Sequence, residues 1–433
     1  MNSARLSFDL VVVGAGPGGL AAASVAAERG GSVALLDNSP WLGGQIWRGE
    51  QARSAVPLAR QWIERFLASG ARAVMQASVF ASPDRGVLLA ETPAARLTVR
   101  FKKLILATGA RELFLPFPGW TLPGVVGPGG LQAMVKAGWP VAGRRVVVAG
   151  SGPLLVAVAD GLRRYGARIP LIAEQAPQLR LARFAAGLWR YPDKLAQAVA
   201  MKARLLGIPY RAGVWLRRAE GGERVERVVL TDGRRSWTVE CDLLACGWNL
   251  VPNTELPRLL GCALASGFVR VDEFQRSSVE GVFCVGELTG IAGADAALVQ
   301  GQIAGLAAVG ETEAAREWFA ERSRWHRFGA ALTRAFALRP ELRQLAKRET
   351  VVCRCEDVSR EAVERCRDAR EAKLHTRCGM GPCQGRICGA ATQFLFGWES
   401  DSIRPPVFPV RMESLLTASE HPKPVSNLSD PTS

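Results

Sequence analysis

The sequence predicts an α/β protein with two domains of strand–turn–helix type and a small cysteine-rich domain toward the C-terminal end. Two glycine-rich turns, one after Val13 and one after Ala149, each follow a short apolar run and precede a helical pattern. Six of the ten cysteines lie between Cys353 and Cys388. A chain of 433 residues is long enough for two or three such domains, each with its own core.

The composition and charge exclude several classes of protein. The formal charge of +15 comes almost entirely from arginine, because lysine occurs only eight times. These arginines are scattered and accompany no nucleic-acid-binding motif, so we expect no nucleic-acid partner; an acidic electron-transfer partner would suit the charge equally well. No apolar run reaches the roughly 18–20 residues that span a bilayer. We therefore expect no transmembrane segment and a cytoplasmic location.

The first glycine-rich turn has the spacing of a dinucleotide-binding motif. Residues 10–13 are predicted as a strand and residues 20–29 as a helix. The turn between them consists of Gly14, Ala15, Gly16, Pro17, Gly18 and Gly19. Gly14 permits the sharp turn, Gly16 lets the backbone approach a pyrophosphate, and Gly19 lets helix and strand pack closely. The helix N-terminus then offers free N–H groups and the positive end of its dipole to the phosphates.

An acidic residue at the end of the next predicted strand supports this interpretation. The strand covers residues 32–36, and Asp37 follows eighteen residues after Gly19. A carboxylate in this position can bind ribose hydroxyls. A glycine turn without a ligand is the alternative, but strand, helix and acid together favour a nucleotide. This unit alone does not distinguish FAD from NAD.

A second unit of the same kind carries an altered turn. A predicted strand at 146–149 and a helix at 156–164 flank the turn Gly150, Ser151, Gly152, Pro153, Leu154 and Leu155. Leu155 stands where the motif has its third glycine, so the usual close approach of helix and strand is not available. Glu174 ends the next strand and would favour a ribose hydroxyl over a phosphate. Whether this domain binds NAD(P)H, another nucleotide or no ligand is left open.

The dense cysteine group indicates a metal or iron–sulfur centre, since disulfides are rare in a reducing compartment. Its members are Cys353, Cys355, Cys366, Cys378, Cys383 and Cys388. A helix is predicted at 359–370, with Cys366 in its middle as a packed residue. Four thiolates suit a two-iron cluster, and zinc bound by the same thiolates is the alternative.

Groups that would activate a substrate are not found in the nucleotide motifs. Cys241 and Cys246 flank a predicted apolar strand and are expected in a core rather than as a redox pair. The three histidines all lie outside the glycine-rich motifs. No catalytic residue is therefore assigned.

Three further segments resemble those of the two-dinucleotide-domain flavoprotein superfamily of glutathione and thioredoxin reductases. The segments are residues 41–45, 104–110 and 281–287. The resemblance implies a glutathione-reductase-like α/β fold with two Rossmann-like domains, the second inserted in the first, and FAD held by distant parts of the chain. The cofactor-binding residues that it implies are Gly14, Gly16, Pro17, Gly18, Gly19, Asp37, Gly43, Gly44, Gln45, Val79, Ala107, Thr108, Gly109, Gly286 and Glu287. The superfamily usually has Asp where this chain has Glu287.

The cysteine motif resembles the bacterioferritin-associated-ferredoxin-like [2Fe-2S] domain that is appended to several flavoprotein dehydrogenases. In that pattern the position before Gly-Met-Gly varies, whereas the last two cysteines stay. The resemblance therefore implies the ligands Cys353, Cys355, Cys383 and Cys388, with Cys378 as the alternate ligand.

Residues 8–412 as a whole resemble the FAD- and iron–sulfur-containing alpha subunits of multi-subunit amine or amino-acid dehydrogenases. That group includes the corresponding opine oxidase subunit, D-hydroxyproline and dye-linked proline dehydrogenase alpha subunits, and a cyanide-forming glycine dehydrogenase subunit. The resemblance implies an electron-transfer subunit whose amine-oxidase-like flavoprotein beta subunit oxidises a C–N bond. It also allows a small ferredoxin-like partner, a separate electron acceptor, and membrane association only through partners. A self-sufficient NAD(P)H-dependent flavoprotein reductase is the alternative.

These interpretations divide the chain as follows. We expect an FAD-binding domain at 8–119 and 262–310, a Rossmann domain of NAD(P) type at 120–261, a helical connector at 311–347, a [2Fe-2S] domain at 348–400 and a C-terminal tail at 401–433.

Overall fold

The first half of the fold is built around a long strand that ends in the first glycine-rich turn. A computed structural model describes residues 2–53, 56–399 and 403–416, so most of the predicted tail lies outside the described residues. The elements of this first region are strands β1 (Asn2–Val13), β2 (Val33–Asp37), β3 (Arg72–Met75), β4 (Ser78–Ala81), β5 (Val87–Glu91), β6 (Ala95–Leu106), β7 (Ala110–Glu112) and β8 (Val125–Val126), and helices α1 (Pro17–Glu28), α2 (Glu50–Arg53), α3 (Pro57–Ala68) and α4 (Pro128–Lys136). Strand β1 pairs in parallel with β2 on one side and with β6 on the other.

The second region contains a five-stranded parallel sheet in the order β11-β10-β9-β15-β8. Its elements are β9 (Val146–Ser151), β10 (Ile172–Glu174), β11 (Tyr210–Ala212), β12 (Trp215–Glu220), β13 (Arg227–Thr231), β14 (Ser236–Glu240), β15 (Leu243–Trp248) and β16 (Leu250–Pro252), with helices α5 (Leu154–Arg164), α6 (Gln178–Gly187), α7 (Pro192–Arg204) and α8 (Glu255–Leu259) and a 3₁₀ helix at Leu188–Arg190. Strands β12, β13 and β14 form a separate antiparallel sheet. The predicted strand and helix around the second turn are confirmed as β9 and α5.

The chain then returns to the first sheet. The elements of this region are β17 (Leu264–Ala265), β18 (Phe268–Val269) and β19 (Val282–Cys284), a 3₁₀ helix at Gly286–Leu288, and helices α9 (Ala294–Ala308), α10 (Thr312–Arg316) and α11 (Phe319–Ala335). Strand β19 pairs in parallel with β6 and adds the seventh strand to the sheet β3-β2-β1-β6-β5-β4. The second sheet thus lies within the chain that builds the first, which is the arrangement of two Rossmann-like units expected from the sequence.

The last region gathers the cysteines in short elements. They are a 3₁₀ helix at Pro340–Gln344, strands β20 (Val351–Cys353) and β21 (Val358–Ser359), and helices α12 (Arg360–Glu364), α13 (Ala369–Thr376), α14 (Cys388–Phe396) and α15 (Met412–Leu416). The single helix predicted at 359–370 is wrong. Asp368 accepts a hydrogen bond from the Glu371 backbone N–H at 2.8 Å and starts a new helix. Cys366 therefore lies in the turn between α12 and α13 rather than in mid-helix.

Helices α1 and α9 pack against each other with almost no side chain between them. Both are alanine- and glycine-rich and buried along most of their length. A Cβ at Gly301 would overlap the carbonyl oxygen of Gly18, and one at Gly305 would come within 2.5 Å of the Ala22 carbonyl oxygen. The two glycines on α9 therefore set the distance at which it covers α1, and with it the helix N-terminus at the first turn.

We expect Gly305→Ala to destabilise the protein by about 1–3 kcal/mol, because a buried backbone contact has no room for the added methyl group. Denaturant unfolding of the purified protein measures this change. Gly187→Ala is the matched control: Gly187 ends α6, and no atom lies within 4 Å of its Cβ position. The control should keep or slightly raise stability. Equal losses in both variants would contradict the close packing of α1 and α9.

Candidate functional site

The first glycine-rich turn is closed toward the protein and open on one side. Gly14 has φ +111°, and a Cβ there would overlap the Ala107 carbonyl oxygen. A Cβ at Gly19 would overlap the carbonyl oxygen of Gly14. At Gly16, in contrast, no atom lies within 4 Å of the Cβ position. Because helix α1 begins at Pro17, its free N–H groups face this open side, which suits a pyrophosphate.

Asp37 is held beside the turn by the backbone. Its Oδ2 accepts a hydrogen bond from the Ala15 N–H at 2.6 Å, and its Oδ1 accepts one from the Ser39 N–H at 2.7 Å. Burial raises the pKa of this carboxyl above its usual range, although both backbone hydrogen bonds oppose the shift. The residue predicted to bind ribose therefore also fixes the shape of the glycine turn.

The Gly-Gly-Gln segment lies against the same turn. The Gly43 N–H donates to the Ala15 carbonyl at 2.9 Å, and the Cβ position of Gly44 is 2.8 Å from the Gly16 Cα. Gln45 is exposed, and its Oε1 accepts a hydrogen bond from Arg48 at 2.7 Å. The structure thus brings Gly43 and Gly44 against the turn, and the exposed Gln45 follows them in the chain.

The loop after the return strand β19 carries a half-buried acid. The Gly286 N–H donates to Gln300 Oε1 at 2.6 Å, which anchors the loop after β19 to α9. Glu287 follows, and burial raises the pKa of its carboxyl to about 6. Within the part of the chain that the structure describes, this carboxylate has no hydrogen-bond or ion-pair partner. Sequence reasoning missed Gln300, because its partner is fourteen residues away on another element and no motif marks it.

These features fit an adenine dinucleotide of the flavin type. The open side at Gly16 leaves space beside a helix N-terminus, and Glu287 offers a half-buried carboxylate that has no partner among the described residues. Val79 lies in β4 with its side chain buried in the core, so any cofactor contact from it must be through the backbone. The residues that would hold FAD are those of the glycine turn, Gly43, Gly44 and Glu287; this assignment stays a prediction.

Asn253 lies where the chain returns from the second sheet to the first. It is hydrogen-bonded to the segment at Thr108 and Gly109, where the chain leaves the first sheet. Its side-chain amide donates to the Thr108 carbonyl and its backbone N–H donates to the Gly109 carbonyl, at 2.8 and 2.9 Å. The Thr108 hydroxyl donates back to the Asn253 carbonyl at 2.8 Å. Strands β7 and β16 pair antiparallel directly beside this contact. Thr108 and Gly109, two of the predicted cofactor-binding residues, therefore lie in a closed hydrogen-bonded unit where the chain passes between the two sheets.

Arg111 connects this crossing to the cysteine group. Its Nε donates to the Arg386 carbonyl at 3.0 Å, and its guanidinium also contacts Asn253 Oδ1 at 2.8 Å and Glu255 Oε1 at 2.9 Å. Arg386 lies between Cys383 and Cys388 in the sequence. One side chain therefore links the flavin segments to the loop that carries two of the predicted thiolate ligands.

Five of the six clustered cysteines come together. The sulfur atoms of Cys353, Cys378 and Cys388 lie within 4.8 Å of one another, and all three residues are buried. Cys355 and Cys383 are hydrogen-bonded neighbours at the more exposed side. The predicted ligands Cys353, Cys355, Cys383 and Cys388 are thus joined by the alternate, Cys378. The choice of four among these five stays a prediction, and the donor set suits iron and zinc alike.

Contacts within the cysteine group lower the pKa of Cys383 and Cys378 and raise the pKa of Cys355 and Cys388. The neighbouring Cys388 thiol lowers the pKa of the Cys383 thiol to about 4, and the backbone N–H groups of Ile387 and Gly385 contribute to this lowering. The contacts of Cys388 with Cys378 and with Cys383 raise the pKa of the Cys388 thiol. A Cβ at Gly381 would overlap the Cys355 side chain, so this glycine permits the two cysteine segments to approach. Thiolates held near backbone N–H groups are the form that binds metal.

Cys366 packs against the same cluster of buried residues, but its sulfur is not among the three that converge. Its sulfur donates to the Ala362 carbonyl at 3.8 Å within the turn after α12. As predicted, it is a packing residue, although its place is a turn and not a helix.

The second glycine-rich turn is hydrogen-bonded to the carboxylate at the end of the next strand. Glu174 accepts hydrogen bonds from the Gly152 and Ala176 backbone N–H groups, both at 2.8 Å. Burial raises the pKa of its carboxyl to about 7 despite these bonds. Leu155 is 1% exposed and packs in the core between α5 and the sheet. A leucine at the third glycine position is therefore accommodated by core packing.

Among the described residues, no helix combines the length and the apolar character needed to cross a lipid bilayer.

Comparison with known proteins identifies relatives of the whole chain. The model of the pyridine nucleotide-disulphide oxidoreductase family matches residues 8–301. Hydrogen cyanide synthase subunit HcnB of Pseudomonas aeruginosa is 32% identical, over 91% of this chain and 92% of its own length. An opine oxidase subunit of Rhizobium meliloti is also 32% identical, over 94% of this chain and 97% of its own length.

Solved structures share the fold. L-proline dehydrogenase from P. horikoshii superimposes with a TM-score of 0.72 at 21% identity, covering 96% of this chain and 80% of that chain. Thioredoxin reductase of T. acidophilum gives 0.56 at 24% identity, covering 71% of this chain and 99% of that chain. The fold predicted from the sequence is therefore confirmed for the two Rossmann-like domains.

We expect Glu287→Gln to stabilise the FAD-free protein and to weaken FAD binding. With a folded pKa of about 6 against an ordinary 4.5, ionisation of Glu287 costs stability as pH rises between these values and the cost is full above pH 6. The variant should therefore gain about 2 kcal/mol at pH 8 and less at pH 5, while loss of the charged acceptor should weaken FAD binding about tenfold. Denaturant unfolding at both pH values and FAD titration measure this.

Glu280→Gln is the matched control for this change, because Glu280 is 86% exposed and pairs only with an exposed Arg85. Its replacement should leave both stability and FAD affinity nearly unchanged. A Glu287→Gln protein whose stability advantage does not grow with pH would show that the carboxyl is not desolvated.

We expect Arg111→Met to destabilise the protein by about 2–4 kcal/mol, because Glu255 would keep a buried charge without its partner. The Glu255 side chain is only 13% exposed and that of Arg111 24%. Adding Glu255→Gln to the variant should recover part of the loss, measured by denaturant unfolding. The exposed Arg168 offers the control Arg168→Met, which should have little effect. No recovery in the double variant would argue against the ion pair.

Proposed function

Because the chain belongs to the pyridine nucleotide-disulphide oxidoreductase family, we propose that it is the FAD- and [2Fe-2S]-containing electron-transfer subunit of a dehydrogenase that oxidises a C–N bond. The family and the relatives make it an FAD-dependent oxidoreductase subunit. The relatives from opine oxidase and hydrogen cyanide synthase are both named as subunits, and the relatives as a group support action on amino-acid C–N bonds. The donor proposed here is an amino acid, imino acid or opine.

The observation that carries this proposal is the direct link between the two candidate redox sites. Arg111 contacts Asn253 of the flavin-side crossing and the Arg386 carbonyl of the cysteine loop. When bound, FAD accepts electron pairs and releases single electrons, which a [2Fe-2S] cluster carries one at a time. The residues of this chain then have three tasks: to hold the flavin segments, to hold the cysteine loop beside them, and to keep that spacing constant.

The charge near the cysteines suits a centre that gains negative charge. Arg386 is half-buried and stacks on the Phe408 ring at 4.3 Å. Burial lowers the pKa of this guanidinium, but an arginine so shifted still carries its charge at neutral pH. We propose that Cys353, Cys355, Cys383 and Cys388 bind the cluster within a domain at 348–400, with Cys378 as the alternate ligand.

The oxidation of the C–N bond is assigned to a partner. Of the three histidines, His326 lies on α11 and His375 on α13, and His421 is outside the described residues, so none belongs to the flavin segments. The electron donor that we propose is an amine-oxidase-like flavoprotein beta subunit. A separate acceptor, together with a small ferredoxin-like subunit, would complete the assembly, which we place in the cytoplasm.

A self-sufficient NAD(P)H-dependent reductase is the second candidate. It is favoured by the family's pyridine-nucleotide name and by the preserved strand, turn and helix at β9 and α5. The two candidates differ in where the electrons enter the chain.

Iron analysis and EPR of the dithionite-reduced full chain test the proposed function. We expect about two iron atoms per chain and a one-electron cluster signal. Cys353→Ser, Cys383→Ser and Cys388→Ser should each remove most of the iron, whereas Cys366→Ser, the matched control outside the group, should keep it. Cys378→Ser should remove most of the iron if Cys378 is a ligand and should keep the iron if Cys378 is only a neighbour of the cluster.

Two results would contradict the proposal. Bound zinc with a silent EPR spectrum would remove the cluster from the electron path. Rapid bleaching of the flavin by NADH in the isolated chain would favour the reductase.

A further inference from the structure

The two glycine-rich turns of this chain provide an internal comparison. Gly16 and Gly152 occupy equivalent positions, each two residues after the first glycine and just before a proline. No atom lies within 4 Å of the Cβ position at Gly16, but Asn249 Oδ1 lies 3.4 Å from the one at Gly152. The first turn is therefore open where a pyrophosphate would bind, whereas the side chain of Asn249 lies in van der Waals contact with this position at the second turn.

The segment after α11 lies across the second turn. The Phe336 carbonyl accepts a hydrogen bond from Ser151 Oγ at 3.2 Å and one from Asn249 Nδ2 at 3.0 Å. Ser151 ends β9, and Asn249, with φ +72°, follows the neighbouring strand β15. Ligands of open α/β sheets bind at the carboxyl ends of the strands. A backbone carbonyl of the chain itself occupies this position.

Gln175 forms further hydrogen bonds with the same segment. Its Nε2 donates to Ser151 Oγ at 2.9 Å and to the Ala337 carbonyl at 3.3 Å, and its Oε1 accepts from the Arg339 N–H at 3.2 Å. Gln175 is 0% exposed. The equivalent residue beside the first turn, Asn38, is exposed. The second site therefore has a fully buried amide side chain at the position where the first site has a solvent-exposed residue.

Side chains hold both ends of the segment. Phe336 is 7% exposed, packs in a core cluster with Ala176 and meets the Phe184 ring edge-on at 5.7 Å. The Arg339 guanidinium lies 3.8 Å above the Trp215 ring. Displacing the segment would require removal of an aromatic side chain from the core as well as the loss of the hydrogen bonds.

We propose that residues Phe336–Arg339 close the second dinucleotide site from within, so that this domain binds no NAD(P)H and instead anchors the connector that leads to the cysteine group. The chain continues directly into the 3₁₀ helix Pro340–Gln344, whose Leu342 is fully buried in the core of this domain. Trp120 Nε1 then donates to the Val351 carbonyl at 2.6 Å, two residues before Cys353. The anchored segment therefore fixes the approach of the cysteine strand.

This inference does not rest on the identity of the metal or on the electron-transfer role. Iron content and EPR test the proposed function, and nucleotide binding tests the closed site. Loss of the cluster would leave the closed site standing, whereas bleaching of the flavin by NADH would count against both.

The first experiment titrates NADH, NADPH and ADP-ribose into the FAD-loaded full chain by isothermal calorimetry. We expect no saturable binding up to about 1 mM of each nucleotide. Saturable binding with a Kd below about 0.1 mM would overturn the closed site.

The second experiment follows backbone hydrogen exchange in residues 336–339. Gln175→Ala should raise exchange there about tenfold, because the buried amide that holds the segment is gone. Gln178→Ala, an exposed glutamine three residues away at the start of α6, is the matched control and should leave exchange unchanged. Equal exchange in wild type and Gln175→Ala would show that these hydrogen bonds do not hold the segment, and would overturn the proposal.

Discussion

The reciprocal hydrogen bonds between Thr108 and Asn253 are the constraint on which the other contacts depend. The chain leaves the first sheet at one of these residues and returns from the second sheet at the other, so the pair fixes both sheets at a single place. Arg111 then uses the same asparagine to position the cysteine loop. Since three regions of the chain meet at one amide side chain, geometry at the crossing helps to set the spacing between nucleotide turn and thiols, together with the packing of Leu342 and Val351 on the second domain.

Features that arise from local sterics could be predicted from the sequence. Gly14 and Gly19 could be recognised as parts of a nucleotide-binding turn from the sequence. A backbone carbonyl oxygen, a few residues away or next to the adjoining strand, leaves no room for a Cβ atom at either position. The cysteine spacing likewise indicated a metal centre. Arg111, Gln300 and the segment at 336–339 could not be found in this way. Their partners are determined only once distant elements have packed, and Arg111 and Arg386 are 275 positions apart. The broken helix near Cys366 shows the same limit on a smaller scale, since a cap at Asp368 outweighed a continuous helical pattern.

The two nucleotide turns show how one backbone motif can serve different purposes. In both, an acid at the end of the second strand accepts hydrogen bonds from the turn, and burial raises the pKa of its carboxyl. The surroundings differ. The first site has an open side and a Glu287 carboxylate without a partner in the described part of the chain, whereas the second has a buried Gln175 and a backbone carbonyl. The residues outside the motif therefore decide whether the motif is available to a ligand, which is why the glycine pattern alone left the second site undetermined.

The pairing of α1 with α9 has a consequence for synthesis on the ribosome. Helix α1 is complete after residue 28, but the helix that covers its alanine face spans residues 294–308, and the strand that completes the sheet ends at residue 284. During translation of the intervening residues, most of the second domain is made from contiguous sequence while the first still exposes a long apolar helix face. The residues around Leu342, which complete the core of the second domain, are made only after α9, so neither domain has its full core until the connector has been synthesised.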